Sequence, residues 1–327
     1  MIDLNNKKIL ITGGAGFVGS NIAHYININF PKAALTIFDK FQSEDKFPSG
    51  NPTALGNFKN LIGFHGNVIA GDINSYEDLN RIEDQSWDII FHQAAISDTT
   101  VLNQNLVIKT NCNTLRYFIS LAEKSNAKLI YASSAGTYGN SNAPNCVGKG
   151  EVPENVYGFS KLMMDELVRV YLSNSPKIEI IGLRYFNVYG NREFYKGKTA
   201  SMILQLGMQI LKNQNVKLFK YGEQSRDFIF IDDVVQANIK AITGPSGIYN
   251  VGTGISRNFN DIISILKKLL NIDFETTYID NPYTFYQNNT CAEIETTRKL
   301  LGYEPKFSLE DGIKSYIEEI ILISQNN

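Results

Sequence analysis

Cysteine, histidine and tryptophan are scarce in this chain. Among 327 residues there are three cysteines (Cys112, Cys146, Cys291), three histidines (His24, His65, His92) and one tryptophan. The cysteines are odd in number, far apart and without a Cys-x-x-Cys pair, and the histidines are equally scattered. That argues against a disulfide framework and against a zinc or other metal site, and it fits a reducing cytoplasm. No apolar run approaches the ~18 residues that a membrane span needs. No secretory signal is read either, because Met1-Ile2-Asp3 leads almost directly into a strand-like segment. An excess of one charge is also missing: 31 Lys and Arg stand against 33 Asp and Glu, a net charge of −2. Without a basic field, the 19 Phe and 17 Tyr belong to core and sugar-binding surfaces and not to a nucleic-acid stacking platform. The expected partner is a small molecule, with no nucleic acid and no membrane.

What is present is an ordinary globular composition, 43% hydrophobic and 20% charged, which excludes disorder, collagen and coiled coil. At about 150 residues per domain the length suits two domains, or one large α/β domain with an appended lobe. Lys7–Thr12, Ala34–Asp39, Asn67–Ala70, Asp88–Gln93, Lys128–Ser133 and Ile178–Arg184 read as strands. Phe17–Asn29, Tyr76–Ile82, Leu106–Glu123 and Val156–Leu172 read as helices between them, the third as one long crossover helix. Gln42–Gly63 carries Pro48, Gly50, Pro52, Gly56 and Gly63, so it is a loop with at most a short helix near Phe58. This alternation predicts a Rossmann-type, doubly wound parallel sheet covered on both faces. After Tyr185 the rhythm changes. Helices are expected at Thr199–Leu211, Phe259–Leu270 and Leu309–Ser324, and short strands at Lys217–Phe219, Asp227–Ile231 and Ile248–Val251. The expected layout is a dinucleotide-binding domain over 1–184, with later segments near 228–251 returning to it. A smaller, mixed α/β substrate-binding lobe over 185–327 is interleaved with it.

Thr12-Gly13-Gly14-Ala15-Gly16-Phe17-Val18-Gly19 lies between the first strand and the first helix. Missing side chains let the backbone approach a pyrophosphate, whose charge a helix N-terminus favours. Asp39 ends the next strand, twenty residues beyond Gly19, where a carboxylate can take ribose hydroxyls. Asp39 alone favours the free diol of NAD, whereas Lys40 and Lys46 just beyond it can neutralise the 2′-phosphate of NADP. The alternative is that both lysines are solvated loop charges.

Tyr157-Gly158-Phe159-Ser160-Lys161 puts a phenol and an ammonium four apart, on one face near a helix start. A nearby cation lowers a phenol's pKa by about 1–3 units, toward a useful base, and Lys161 can also hold the cofactor ribose. Ser134-Ala135-Gly136-Thr137-Tyr138-Gly139 follows the strand ending at Ser133, at the carboxyl edge where open α/β sheets bind ligands. Ser134 can then hydrogen-bond a reacting hydroxyl, while Ser133 is expected to bond backbone. His92 is expected to be a packed, hydrogen-bonded imidazole, Cys112 and Cys146 small packing residues, and Asp232 and Asp233 caps of the following helix.

With these residues in hand, the chain resembles the extended short-chain dehydrogenase/reductase family, and within it the NAD-dependent epimerases and dehydratases. The resemblance covers nearly the whole sequence. It rests on the glycine turn, Gly71-Asp72-Ile73, His92-Gln93-Ala94-Ala95, the Ser134 segment, Tyr157 and Lys161. It continues through Arg184-Tyr185-Phe186-Asn187-Val188-Tyr189-Gly190, Arg226-Asp227-Phe228 and Asp232-Asp233. It implies a nucleotide-linked sugar as substrate and a retained NADP, with NAD as the alternative. Gly13, Gly16, Phe17, Val18, Gly19, Asp39, Lys40, Lys46, Gln93, Ala94, Ala95, Ser97, Asn111, Tyr157, Lys161, Val188 and Lys196 would then face the cofactor. Asp72 and Ile73 would border its adenine, and Asn187 and Arg226 the substrate's phosphates.

Tyr131–Gly139, Ser97-Asp98-Thr99-Thr100 and above all Arg184–Ser201 are similar to the ADP-heptose 6-epimerases of this family. That likeness implies ADP-heptose as substrate, inverted at C6 by transient oxidation, for the lipopolysaccharide inner core. Lys196 then takes the place of a second catalytic acid/base beside Tyr157, Lys161 and Ser134. Ser97, Ser134, Lys198, Gln205, Phe219, Lys220, Tyr221, Gly222 and Tyr286 would join the substrate site. Lys196 also stands among Arg192 and Lys198, so binding the diphosphate is its other reading. Two departures stand out. Asn191 replaces the proline usual before the arginine and reads as a turn variation, and the loop after Lys46 is longer than in some relatives. The rival functions are a UDP-hexose 4-epimerase, a plain dehydrogenase and a non-catalytic NAD(P)-sensing scaffold. A 4,6-dehydratase is disfavoured because Ala135 and Gly136 stand where that group carries an acidic pair. By fold analogy, helices around Asn105–Glu123 and Val156–Leu172 would form a homo-oligomer contact.

Overall fold

The computed structural model describes residues 2–280 and 289–326. Strands β1 (Lys8–Thr12), β2 (Ala34–Asp39), β3 (Asn67–Ala70), β4 (Ile89–His92), β5 (Lys128–Ser134) and β6 (Ile180–Tyr185) alternate with helices α1 (Phe17–Asn29), α2 (Tyr76–Glu83), α3 (Gln104–Ile108), α4 (Thr114–Ser125) and α5 (Val156–Ser173). Beyond them come β7 (Asn187–Tyr189), α6 (Met202–Leu211), β8 (Val216–Phe219), β9 (Ser225–Phe230), α7 (Ile231–Ala241) and β10 (Gly247–Val251). The last elements are β11 (Ser256–Asn258), α8 (Phe259–Leu270), β12 (Thr276–Ile279), α9 (Glu295–Leu301) and α10 (Leu309–Asn326).

Seven strands form one sheet in the order β10-β6-β5-β4-β1-β2-β3, and every neighbouring pair is parallel. Ile9, Leu10 and Ile11 of β1 are fully buried, as a central strand covered by helices on both faces requires. This is the Rossmann-type sheet that the alternation predicts. The chain winds from β1 to β3 in one direction and then restarts at β4 on the other side of β1. The crevice at the carboxyl ends of β1 and β4 is therefore a topological switch point, where such sheets take ligands. Strand β10 comes from the second half of the chain to pair with β6, whereas β9 pairs with β7 and β11 in a separate three-stranded sheet. Strands β8 and β12 form a third, two-stranded sheet.

Several expectations need correction. The crossover helix of 106–123 is not continuous: five residues, Lys109–Asn113, open into a π-turn between α3 and α4. There Asn111, with no exposure, bonds the backbone of Ile96 in both directions and donates to Ser160 Oγ at 2.9 Å. A buried carboxamide with that many partners compensates for the irregular backbone. Helix α6 starts only at Met202, and Phe194–Thr199 before it is a short 3-10 stretch broken by Gly197 at φ +57°. Asp232 and Asp233 do not cap α7. They lie inside its first turn after Phe230, and Asp233 accepts the Lys306 and Phe307 amides at 2.9 and 3.1 Å, pinning the approach to α10.

Candidate active site

A cleft of about 590 Å³ opens at the switch point, and residues at the ends of six strands, β1 to β6, line it. Its floor begins at the glycine turn. Helix α1 starts at Gly16 with no side-chain cap and no acidic residue in its first turn, so its amides are left for an anion. Gly13 holds φ +67° with Ala94 N only 2.7 Å from where a Cβ would stand, and a Cβ on Gly19 would lie 2.3 Å from Gly13 O. Strand, turn and helix meet too closely for any side chain. Gly19→Ala is accordingly expected to force the turn open. The purified variant should carry about a tenth or less of the wild-type nicotinamide, and stability should fall by about 1–3 kcal/mol. Absorbance of the released cofactor and urea unfolding read the two effects.

Asp39, 6% exposed, accepts Ala15 N through Oδ2 at 2.9 Å and Phe41 N through Oδ1 at 2.8 Å. Burial pushes its pKa up and these amides pull against that. Lys40 is on the cleft rim, ion-paired with Asp72 Oδ2 at 3.0 Å, and is thus not simply a solvated loop charge. Lys46 is exposed and does not line the cleft. Phe17, Val18, Ile73, Gln93, Ala94, Ala95, Ser97 and Val188 line it, whereas Asn111 lies behind it. His92 is packed as expected. Its Nδ1 lies 2.8 Å from Thr12 Oγ1 and its ring 4.3 Å from that of Phe118, and burial drives its pKa down to about 3, so it is neutral.

The reacting end of the cleft combines the end of β5 with the first turns of α5. Asn155 caps α5 by accepting Gly158 N at 2.8 Å, which sets Tyr157 and Lys161 on the face toward the sheet. Lys161 is 2% exposed, and its ammonium donates to Ala132 O at 2.7 Å and sits 5.9 Å from the centre of the Tyr157 ring. Burial lowers its pKa to about 8, with Asp165 opposing. The expected lowering of the Tyr157 pKa is not found. Burial raises it, the hydrogen bond with Ser134 only partly offsets that, and Lys161 spends its charge on a carbonyl. Ser134 Oγ also accepts Gly136 N at 3.0 Å. Ser133 bonds a carboxylate, Asp165 Oδ2 at 2.9 Å, and not backbone.

Lys196 lines the same cleft, half-buried, with its ammonium 5.3 Å from the centre of the Phe17 ring at the start of α1. Burial lowers its pKa and the neighbouring Glu193 opposes that. A lysine so placed can give up a proton more readily than one in water. Asn191 is more than a turn variation: its Nδ2 donates to Glu319 Oε2 at 2.6 Å.

The remaining candidates gather outside the cleft lining. Asn187 pairs with Phe228 across β7 and β9, and Arg226, 6% exposed, lies two residues earlier on β9 with its guanidinium 5.9 Å from the Phe259 ring centre. Phe219–Gly222 ends β8 beside α8, whose first residue, Phe259, donates its amide to Gly222 O. Lys220 is ion-paired with Asp280 at 2.8 Å and Tyr221 is exposed. Gln205 donates to Ala200 O and Lys198 O, so it holds the Lys196 segment and not the cleft, and Lys198 is exposed. Tyr286 lies outside the described residues.

Sequence reasoning missed two groups. Tyr185, on the cleft floor beside Tyr157, donates toward Gln93 Oε1 and Asn238 Oδ1 at 3.1 and 3.0 Å. Arg184 and Asp165, both without exposure, form a buried ion pair at 2.7 Å behind Ser133 and Lys161. The available signal was Arg184 closing an otherwise apolar strand.

The cleft residues fit a nicotinamide dinucleotide: a bare helix N-terminus, a side-chain-free turn and a buried acid after β2. Comparison with known proteins agrees. The profile of the NAD dependent epimerase/dehydratase family matches residues 9–252. The ADP-L-glycero-D-manno-heptose-6-epimerase of Brachyspira hyodysenteriae is 34% identical over 95% of this chain and 96% of its own. The crystal structure of the Helicobacter pylori ADP-L-glycero-D-manno-heptose-6-epimerase superposes with a TM-score of 0.89 at 55% identity, covering 97% of both chains. A UDP-glucuronic acid 4-epimerase from Bacillus cereus, solved with UDP-glucuronic acid and NAD, gives a TM-score of 0.82 at 26% identity, covering 97% of this chain and 99% of that one. Among the described residues no helix is long and apolar enough to cross a membrane.

Proposed function

The chain belongs to the NAD dependent epimerase/dehydratase family, and from that membership we propose that it interconverts ADP-D-glycero-D-manno-heptose and ADP-L-glycero-D-manno-heptose. The observation that carries this reading is one cleft lined by Lys196 as well as by Tyr157 and Ser134, in a chain 55% identical to a heptose epimerase over nearly its full length. A nicotinamide held at the glycine turn would supply the hydride chemistry, by which hydrogen leaves C6 and comes back to the opposite face of the ketone. Inversion thus needs a proton acceptor and donor for two orientations of one side chain, and a single fixed phenol serves only one, because the transfer works over about 3 Å. Tyr157, hydrogen-bonded to Ser134, handles the C6 hydroxyl proton in one orientation. Lys196 handles it in the other, which its lowered pKa supports. Lys161 would hold the cofactor ribose, with its ammonium 5.9 Å from the centre of the Tyr157 ring. Asn187, Arg226 and Phe219–Gly222 hold the ADP portion.

We read the retained cofactor as NADP. What supports this is Lys40 on the rim, a cation beside Asp39 even though it pairs with Asp72, and an Asp39 whose carboxylate oxygens are both engaged by amides. We also propose a contact between copies of the chain through α3–α4 and α5, where exposed Phe159 and Val170 on α5 support it. The product fits assembly of a lipopolysaccharide inner core.

Incubation of the purified protein with ADP-heptose and, separately, with UDP-glucose tests the reading. Epimer formation from the ADP sugar alone, without net NADPH, is the expected result. Isomerisation of UDP-glucose alone would replace it with the hexose 4-epimerase, and accumulating NADPH with a plain dehydrogenase. Bound cofactor that never turns over with either sugar would mean the sensing scaffold. Lys196→Met should lower kcat by about 10²-fold or more. A wild-type kcat with a raised KM would reduce Lys196 to a phosphate-binding cation.

A further inference from the structure

Lys196 sits on a short turn that contains a left-handed glycine, so no regular element fixes where its ammonium points. What holds that turn is a set of contacts at its base. Asn21 of α1 donates its Nδ2 to Asn191 O at 2.9 Å and accepts Arg192 Nη1 at 2.8 Å. On the other side Glu319 of α10 accepts the Asn191 carboxamide through Oε2 at 2.6 Å and the Arg192 amide through Oε1 at 2.9 Å. Arg192 adopts φ +71°, a conformation that a non-glycine residue keeps only when its surroundings impose it. Just beyond, the fully buried Glu193 accepts Gly190 N, Ser201 N and Ser201 Oγ, closing the loop on itself. The same α1 that carries Asn21 begins at Phe17, whose ring lies under the Lys196 ammonium.

We propose that Glu319 is a positioning residue for Lys196. Its carboxylate fixes residues 191 and 192, and through them holds the ammonium over the cleft beside the cofactor-binding turn. The inference rests on Lys196 being the second acid/base. Glu319 does not line the cleft, so it acts on alignment alone. Displacing a reacting group by about 1 Å costs on the order of 10²-fold in rate.

Glu319→Ala is expected to lower kcat for ADP-heptose about tenfold or more, with KM within about twofold and cofactor content unchanged. Glu319→Gln, which keeps one acceptor oxygen in the same shape, should recover part of the loss. Asn191→Ala, which removes only the carboxamide bond, should lose less than Glu319→Ala. An unchanged kcat per folded molecule, a change confined to KM, or a loss in Glu319→Gln as deep as in Glu319→Ala would each overturn the proposal. If the wild-type protein leaves ADP-heptose unconverted, the functional reading fails before any variant is compared. A fully active wild type with an equally active Glu319→Ala fails the positioning role alone.

Discussion

Replacing Tyr157 by phenylalanine is expected to lower kcat by about 10²- to 10⁴-fold, the range a positioned acid/base contributes, while cofactor content and melting temperature stay near wild type. The ring remains on the first turn of α5, so packing against the cleft is kept, and the loss falls on one hydroxyl. That hydroxyl has the hydrogen bond to Ser134, and burial holds it protonated in the free protein. Among the described residues beside it, neither Lys161 nor Tyr185 can replace it. Lys161 is directed at Ala132 O, and Tyr185 is engaged with Gln93 and Asn238. Steady-state kinetics with ADP-heptose measures the effect. A variant within tenfold of the wild-type kcat would mean that Lys196 alone moves the proton in both orientations.

Much of this site was legible because its signals are local. The glycine turn, Asp39 and the Tyr157/Lys161 pair depend on spacings of a few residues next to recognisable strands and helices. What stayed hidden depends on partners far along the chain or on burial. Glu319 meets Asn191 and Arg192 across more than a hundred residues, and no periodicity announces such a pair. The π-turn at Lys109–Asn113 escaped because apolar spacing runs through it undisturbed. Strands β7 and β11, three residues each, are too short to show a period of two. The Tyr157 pKa went the wrong way for a related reason: spacing shows that a cation is near, but not that the phenol is desolvated or that the ammonium has a carbonyl to satisfy. In each case tertiary context overrode a local inference that was sound by itself.

The largest loss of stability is expected from Asp165→Ala. Its carboxylate, with no exposure, accepts Tyr131 Oη at 2.7 Å, Ser133 Oγ at 2.9 Å and Arg184 Nε at 2.7 Å. Arg184, equally buried, has Glu151 at 2.6 Å as its other anion among the described residues and stacks on the Tyr138 ring at 4.9 Å, and Glu151 is itself gripped by both terminal guanidinium nitrogens of Arg169. Removing one partner of a buried ion pair strands the other charge and costs about 3–5 kcal/mol, which urea unfolding would register; a loss below about 1 kcal/mol would mean that Arg184 finds a new partner. Asp165→Asn, which keeps an acceptor oxygen for Tyr131 or for Ser133 but not for both, and loses the charge, should fall between wild type and Asp165→Ala. The same network sets the acid limit. Burial pushes the Glu151 carboxyl up, but Arg169 and Arg184 outweigh it and bring its pKa down from 4.5 to about 2. A carboxylate depressed in the folded state stabilises the fold fully above its unfolded pKa, and that contribution fades as pH falls from about 4.5 toward 2. With Asp165 gone, Glu151 is the last anion facing Arg184, so the variant should unfold at the upper edge of that window, where the wild type still stands.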